Sequence, residues 1–196
     1  MNNTKTTNLT LPLLYEQVTQ NPPFAWFPTP PKLINKMLKL AKIKPGTLAL
    51  EPTAGCGCVA EKMRELGAIV DVIEIDPVLQ QILLQKSFNL VGTDFLSSEP
   101  QRQYELIVAN PPFSSLNERG IDTKIISRAY RLFLKPGGRL ISIVSASIEI
   151  RNCPKSQAFR SLLKRTNAKI VKLPIDIFTE GARPVITETW LVLMKK

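Results

Sequence analysis

The sequence predicts an α/β fold built on a doubly wound parallel sheet. Short apolar, β-branched runs alternate with helical stretches along most of the chain. Several of these runs lack the apolar–polar alternation of a half-exposed strand and read as strands buried on both faces. A glycine-rich loop also joins the first strand to the helix behind it.

Residues 1–25 are polar and then Pro-rich, with an apolar patch at 9–15. They read as an N-terminal arm with room for one short helix, leaving 26–196 as a single domain. Pro28, Pro30 and Pro31 punctuate the chain. Leu33, Ile34, Met37, Leu38, Leu40 and Ala41 then recur at helical spacing, predicting an amphipathic helix over 31–42. Lys44-Pro45-Gly46 is a turn. Strands are expected at 47–50, 69–75, 90–91, 105–109, 139–144, 169–173 and 187–194, with helices at 58–66, 78–85, 121–134 and 155–165. Lys135-Pro136-Gly137-Gly138 should stop the helix before it.

With 44% hydrophobic and 21% charged residues among 196, the composition suits one globular domain. No apolar run approaches the roughly 18 residues needed to span a bilayer. Residues 1–20 hold no signal-like apolar region, so a reducing, cytoplasmic setting is expected. His is absent, which excludes His-based acid–base chemistry, Ser–His and Cys–His nucleophiles and His-ligated metals. Cys56 and Cys58 form a C-x-C without a further ligand cluster. They read as small packing residues, and no metal site is predicted.

The net charge of +10 is lopsided. Ten Lys and Arg balance ten Asp and Glu up to residue 117, whereas the rest of the chain holds 16 against six. No acid occurs from Ile150 to Ile175. Arg151, Lys155, Arg160, Lys164, Arg165 and Lys169 lie in that stretch and are the expected phosphate contacts of a nucleic acid. Helical spacing puts Arg160 and Lys164 on one face.

The chemistry-bearing motifs lie at the ends of the first four strands. Glu51-Pro52-Thr53-Ala54-Gly55-Cys56-Gly57 leaves the first strand, and Gly55 and Gly57 permit a tight turn and close approach of a ligand. With Ala60 the loop also fits the dinucleotide pattern of a dehydrogenase. Glu74, followed by Ile75, ends the second strand, where a carboxylate can accept from two ribose hydroxyls. After the third strand, Asp94 can accept from an adenine amine and Phe95 can pack beside the ring. Asp94 also fits a turn or helix cap. The fourth strand runs into Asn110-Pro111-Pro112-Phe113. Two prolines remove two backbone donors and leave carbonyls as acceptors, Asn110 adds a side-chain carbonyl, and Phe113 offers a stacking face. Together these can hold the exocyclic amine of a flipped base. The same tetrapeptide at 21–24 follows no strand and reads as chance or part of a lid.

From Phe27 onward the sequence resembles the S-adenosylmethionine-dependent N6-adenine DNA methyltransferases, with the motif order of the gamma class. The resemblance implies a Rossmann-like sheet of seven strands, mostly parallel, with an antiparallel last strand. It implies a cofactor site made by Phe27 and Thr29, by Glu51, Pro52, Gly55 and Gly57, by Glu74 with Ile75, and by Asp94 with Phe95. Asn110, Pro111, Pro112 and Phe113 would be the catalytic tetrapeptide. No target-recognition domain follows the motifs, so low sequence specificity on DNA is expected. The alternatives are the same chemistry on RNA or on a protein glutamine amide, an NAD-dependent dehydrogenase, and a non-catalytic nucleic-acid-binding subunit.

Overall fold

The computed structural model describes residues 9–23, 25–114, 118–180 and 183–196. Its centre is a seven-stranded sheet. Along the chain the strands are β1 (Leu48–Glu51), β2 (Ile69–Ile73), β3 (Asn89–Gly92), β4 (Tyr104–Ala109), β5 (Leu134–Ser145), β6 (Lys169–Lys172) and β7 (Thr189–Lys195). The spatial order is β3-β2-β1-β4-β5-β7-β6. β1 to β5 pair in parallel, and β7 runs antiparallel between β5 and β6. The order therefore reverses between β1 and β4, and a crevice is expected outside the C-terminal ends of these two strands.

Among the described residues six α-helices accompany the sheet: α1 (Leu11–Gln20), α2 (Pro31–Ala41), α3 (Cys58–Glu65), α4 (Pro77–Gln85), α5 (Ile121–Arg128) and α6 (Pro154–Arg165). Pro31 opens α2, where its missing N–H costs nothing, and Leu33, Ile34, Met37 and Leu38 form its buried stripe. On one face of the sheet α2 and α3 share a core with Val70, Val72, Leu106 and Ile141. On the other, α5 and α6 bury Ile125, Ile126, Phe159 and Leu163 against Ile107 and Val144.

Two predicted elements need correction. The helix predicted over 121–134 runs to Phe133, its last turn, Ala129–Phe133, being π-helical, but the strand expected from 139 already starts at Leu134. Tyr104 pairs with Leu134 and Leu106 with Arg139, so Lys135–Gly138 is a bulge inside the strand. Gly137, at φ +78°, makes the bend, and its N–H donates to the Lys196 carbonyl at 2.7 Å. The arm is also better organised than its composition suggested. α1 lays Leu14 and Val18 against Leu79 and Ile82 of α4 and against Cys56.

Candidate active site

The crevice at the strand reversal is a cavity of about 710 Å³. Its floor is the loop after β1. Gly57, at φ +81°, caps α3, and a Cβ there would lie 2.8 Å from Leu83 Cδ2. Gly55, at φ +56°, faces the Trp26 indole, which would stand 3.1 Å from an added Cβ. Only glycine meets both the backbone angle and the lack of space at Gly57. Glu51, 2% exposed, accepts from the Ala60 N–H at 2.7 Å and so caps the first turn of α3 from the strand beside it.

Glu74 sits at the tip of β2, as expected, and lines the cavity. Its carboxylate also clamps the loop. One oxygen accepts from the Gly55 N–H at 2.6 Å, the other from the Asp76 N–H at 2.9 Å. Ile75 beside it is 69% exposed and forms an apolar lip of the cavity. Asp94 lines the same cavity and caps its own turn, accepting from the Leu96 N–H at 2.9 Å. Phe95 is mainly a core residue. It is 3% exposed and its ring centroid lies 4.7 Å from that of Phe133.

Asn110 follows β4 and stands where two cavities meet. The second cavity, about 300 Å³, is lined by Pro111, Phe113, Phe178, Arg183 and Thr187, and Asn110 borders both. The Asn110 Nδ2 donates to the Phe27 carbonyl and to Thr29 Oγ1, each at 3.0 Å. The Phe27 oxygen can only accept, which fixes the amide orientation. Among the described residues nothing donates to Asn110 Oδ1, which is left for an incoming N–H. Phe27 and Thr29, expected to close the cofactor site, thus also position Asn110.

The family model of the methyltransferase small domain matches residues 79–170. The type II methyltransferase M.TthHB8I of Thermus thermophilus is 29% identical over 147 residues, covering 61% of this chain and 34% of that protein. The chain therefore spans about a third of this relative's length. The N-methyltransferase NodS of Bradyrhizobium japonicum, in complex with S-adenosyl-L-homocysteine, superposes with a TM-score of 0.63 at 14% identity over 95% of this chain and 97% of its own. The fold is that of the S-adenosylmethionine-dependent methyltransferases. A dimethyladenosine transferase of Plasmodium falciparum shares it, with a TM-score of 0.61 at 18% identity over 87% of this chain and 63% of that one.

In this methyltransferase fold the expected phosphate contacts do not share one surface. Arg160 turns inward, and its Nη1 donates to the Ile148 and Arg151 carbonyls at 2.6 and 2.7 Å, holding the turn after β5. Lys155 lies at the rim of the larger cavity, where it pairs with Glu118, and Arg151 lies against Gly120 at the same edge. α6 then descends away from that edge. Lys164 lies about 14 Å along the axis from Lys155, with Arg165 beside it at the helix end. Lys169 begins the edge strand β6. Spacing along α6 could not reveal that the Arg160 guanidinium is already bonded.

Other site residues went unnoticed in the sequence. Thr53 lines the larger cavity, and its buried Oγ1 has no hydrogen-bond partner among the described residues. Arg183 reaches back to the Pro23 and Trp26 carbonyls at 2.9 and 3.1 Å, and its guanidinium lies 4.4 Å from the centroid of the Phe27 ring. With Phe178 it belongs to the connection 173–188, which walls the smaller cavity. Its length was the available signal, because irregular connections beyond about 12–15 residues tend to be functional. Of the second Asn-Pro-Pro-Phe copy, Asn21 ends α1 and Pro23 borders the larger cavity, while Phe24 lies outside the described residues. No cluster of three or more Cys, Asp or Glu that could hold a metal occurs among the described residues.

Burial pushes the Glu51 carboxyl well above its ordinary value, against the Ala60 hydrogen bond. A raised folded-state value favours the protonated form. The resulting stability is complete below the ordinary carboxyl range and is lost as pH rises through the folded value. Glu51→Gln keeps the acceptor for Ala60 and removes the charge. Its melting temperature should exceed that of the parent at pH 8, and the gap should close towards pH 4. An unchanged gap across a thermal-unfolding pH series would show that the buried charge is not the destabilising element.

Proposed function

We propose that this chain transfers a methyl group from S-adenosylmethionine to the exocyclic N6 amine of adenine in DNA, with low sequence specificity. The supporting observation is the position of Asn110. It stands between a larger cavity and a smaller one, with its amide nitrogen tied back and its oxygen unbonded. The larger cavity fits the cofactor. The Glu74 carboxylate takes the ribose hydroxyls, Ile75 packs beside the adenine and Asp94 accepts from its amine. The loop over Gly55, with the orphaned Thr53 hydroxyl, takes the polar methionine end. When bound, the cofactor supplies an electrophilic methyl group.

The smaller cavity takes the target base. Phe113, half-buried in its wall, offers a stacking face. Asn110 Oδ1 and the Pro111 carbonyl accept the two amine hydrogens and direct the nitrogen lone pair towards the larger cavity. The reaction then rests on orientation and fixed dipoles, which suits a site without histidine. The adenine reading gains weight from the dimethyladenosine transferase neighbour, and the DNA reading from the type II methyltransferase relative.

The test is incubation with methyl-labelled S-adenosylmethionine and, in parallel, single-stranded DNA, duplex DNA, RNA and protein, followed by digestion. Label in N6-methyldeoxyadenosine is expected across many sequence contexts. Label confined to RNA or to a glutamine side chain would overturn the substrate assignment.

Binding to DNA phosphates is proposed for the basic residues at the catalytic edge. Arg151→Glu with Lys155→Glu should flatten the dependence of log affinity for duplex DNA on log salt, by up to about 0.9 for each phosphate no longer neutralised. Lys164→Glu with Arg165→Glu should leave that slope nearly unchanged. Equal flattening by both pairs in a salt titration would place DNA along the whole of α6.

A further inference from the structure

The cysteines read as packing residues do more than pack. Cys56 Sγ and Cys58 Sγ lie 3.3 Å apart as free thiols, and both border the larger cavity. Their separation exceeds a disulfide bond by about 1.3 Å. Gly57 between them leaves no space for a side chain, since a Cβ would lie 2.8 Å from Leu83 Cδ2, and the Lys86 ammonium donates to the Cys56 carbonyl at 2.8 Å. The two sulfurs thus face each other across one tight turn.

We propose that Cys56 and Cys58 are an oxidation site for hydroperoxides, and that the disulfide they form weakens binding of the cofactor in the larger cavity. The second half of this proposal rests on the cofactor reading above. The Cys58 thiolate attacks one peroxide oxygen. The O–O bond breaks, Cys58 becomes a sulfenic acid, and the other oxygen leaves as hydroxide or alkoxide, which takes up the proton that Cys58 released on ionising. Cys56 Sγ then attacks Cys58 Sγ, releasing hydroxide that takes up the Cys56 proton and leaves as water. Two thiols lose two electrons and two protons, and the peroxide is reduced.

The roles follow from position and charge. Cys58 is half-exposed and can meet a solute in the cavity, whereas Cys56 is buried behind it among Leu14, Leu79 and Ile82. The hydrogen bond between the thiols, with Lys86 nearby, lowers Cys58 to about 7 and, together with burial, pushes Cys56 up. The attacking thiol is therefore the ionised one. Closing the remaining distance of about 1.3 Å draws on the backbone of residues 55–58. That segment carries the Gly55 N–H held by Glu74, so oxidation disturbs the clamp at the ribose end of the cavity.

The test uses the full chain with one equivalent of hydrogen peroxide. Thiols titrated under denaturing conditions should fall from three to one, with loss of two hydrogen masses in the peptide holding Cys56 and Cys58. The Cys153→Ser variant should behave likewise from two thiols to none, whereas Cys58→Ser should form no intramolecular disulfide. S-adenosyl-L-homocysteine should bind the oxidised protein at least about fivefold more weakly, with full recovery in dithiothreitol. Three surviving thiols, or over-oxidation of Cys58 without pairing, would overturn the oxidation site. A disulfide with unchanged affinity would overturn its coupling to the cavity. If the reduced protein bound no S-adenosyl-L-homocysteine, the cofactor reading would fail and the coupling with it, while thiol counting would still decide the oxidation site.

Discussion

Asn110→Ala is expected to lower the rate of methyl transfer by about a hundredfold to a thousandfold, the usual effect of removing one fixed group that stabilises developing charge. Cofactor affinity should fall far less than the rate, because Asn110 reaches the cofactor site through Phe27 and Thr29, while Glu74, Asp94 and the loop over Gly55 are untouched. The Phe27 carbonyl and Thr29 Oγ1 lose the donor that ties them to the end of β4, so a small drop in melting temperature accompanies the loss. Asn110→Asp is the sharper variant. It keeps an oxygen at Oδ1, yet it sets a carboxylate oxygen against the Phe27 carbonyl, which can only accept. It should therefore be nearly as inactive as the alanine variant. Single-turnover measurements on an adenine-containing oligonucleotide separate the chemical step from binding. A near-parent rate for either variant would move the chemistry away from this residue.

Glu74→Ala should weaken S-adenosyl-L-homocysteine binding by about 1.5–3 kcal/mol, the range for hydrogen bonds to a charged group. The geometry adds a second effect. With no carboxylate, the Gly55 and Asp76 N–H groups lose their acceptors and the loop after β1 loosens. Thermal stability without ligand should fall as well. Glu74→Gln retains an acceptor for one of these amides, so it should recover most of the stability and only part of the affinity. Calorimetry that finds the alanine variant binding as tightly as the parent would remove Glu74 from the ribose site.

The strands were legible because strands buried on both faces need unbroken apolar runs, as in Leu106–Val108, and the candidate site because its motifs sit at strand ends. Geometry that depends on side-chain direction was not legible. Arg160 has the same spacing as a solvent-facing residue, but its guanidinium is held by two carbonyls from the preceding turn. Phe95 lines the larger cavity, yet its ring is also buried against Phe133, a contact its place in the sequence does not show. Pro136-Gly137-Gly138 looked like a stop because bulges and turns use the same residues. The docking of α1 escaped notice because Leu14 and Val18 find their partners in α4, far along the chain.

The bond between Asn110 and Phe27 spans 83 positions, and that between Arg183 and Pro23 spans 160. During synthesis the segment 23–29 leaves the ribosome long before either partner. Asn110 first becomes available with β4, and the smaller cavity gains its last wall only when residues 183–187 emerge, just ahead of β7. Loop closure over such separations is slow. A nascent chain can therefore bury much of its sheet while the acceptor-side cavity is still open, and the cavity closes only once residues 183–187 have been made.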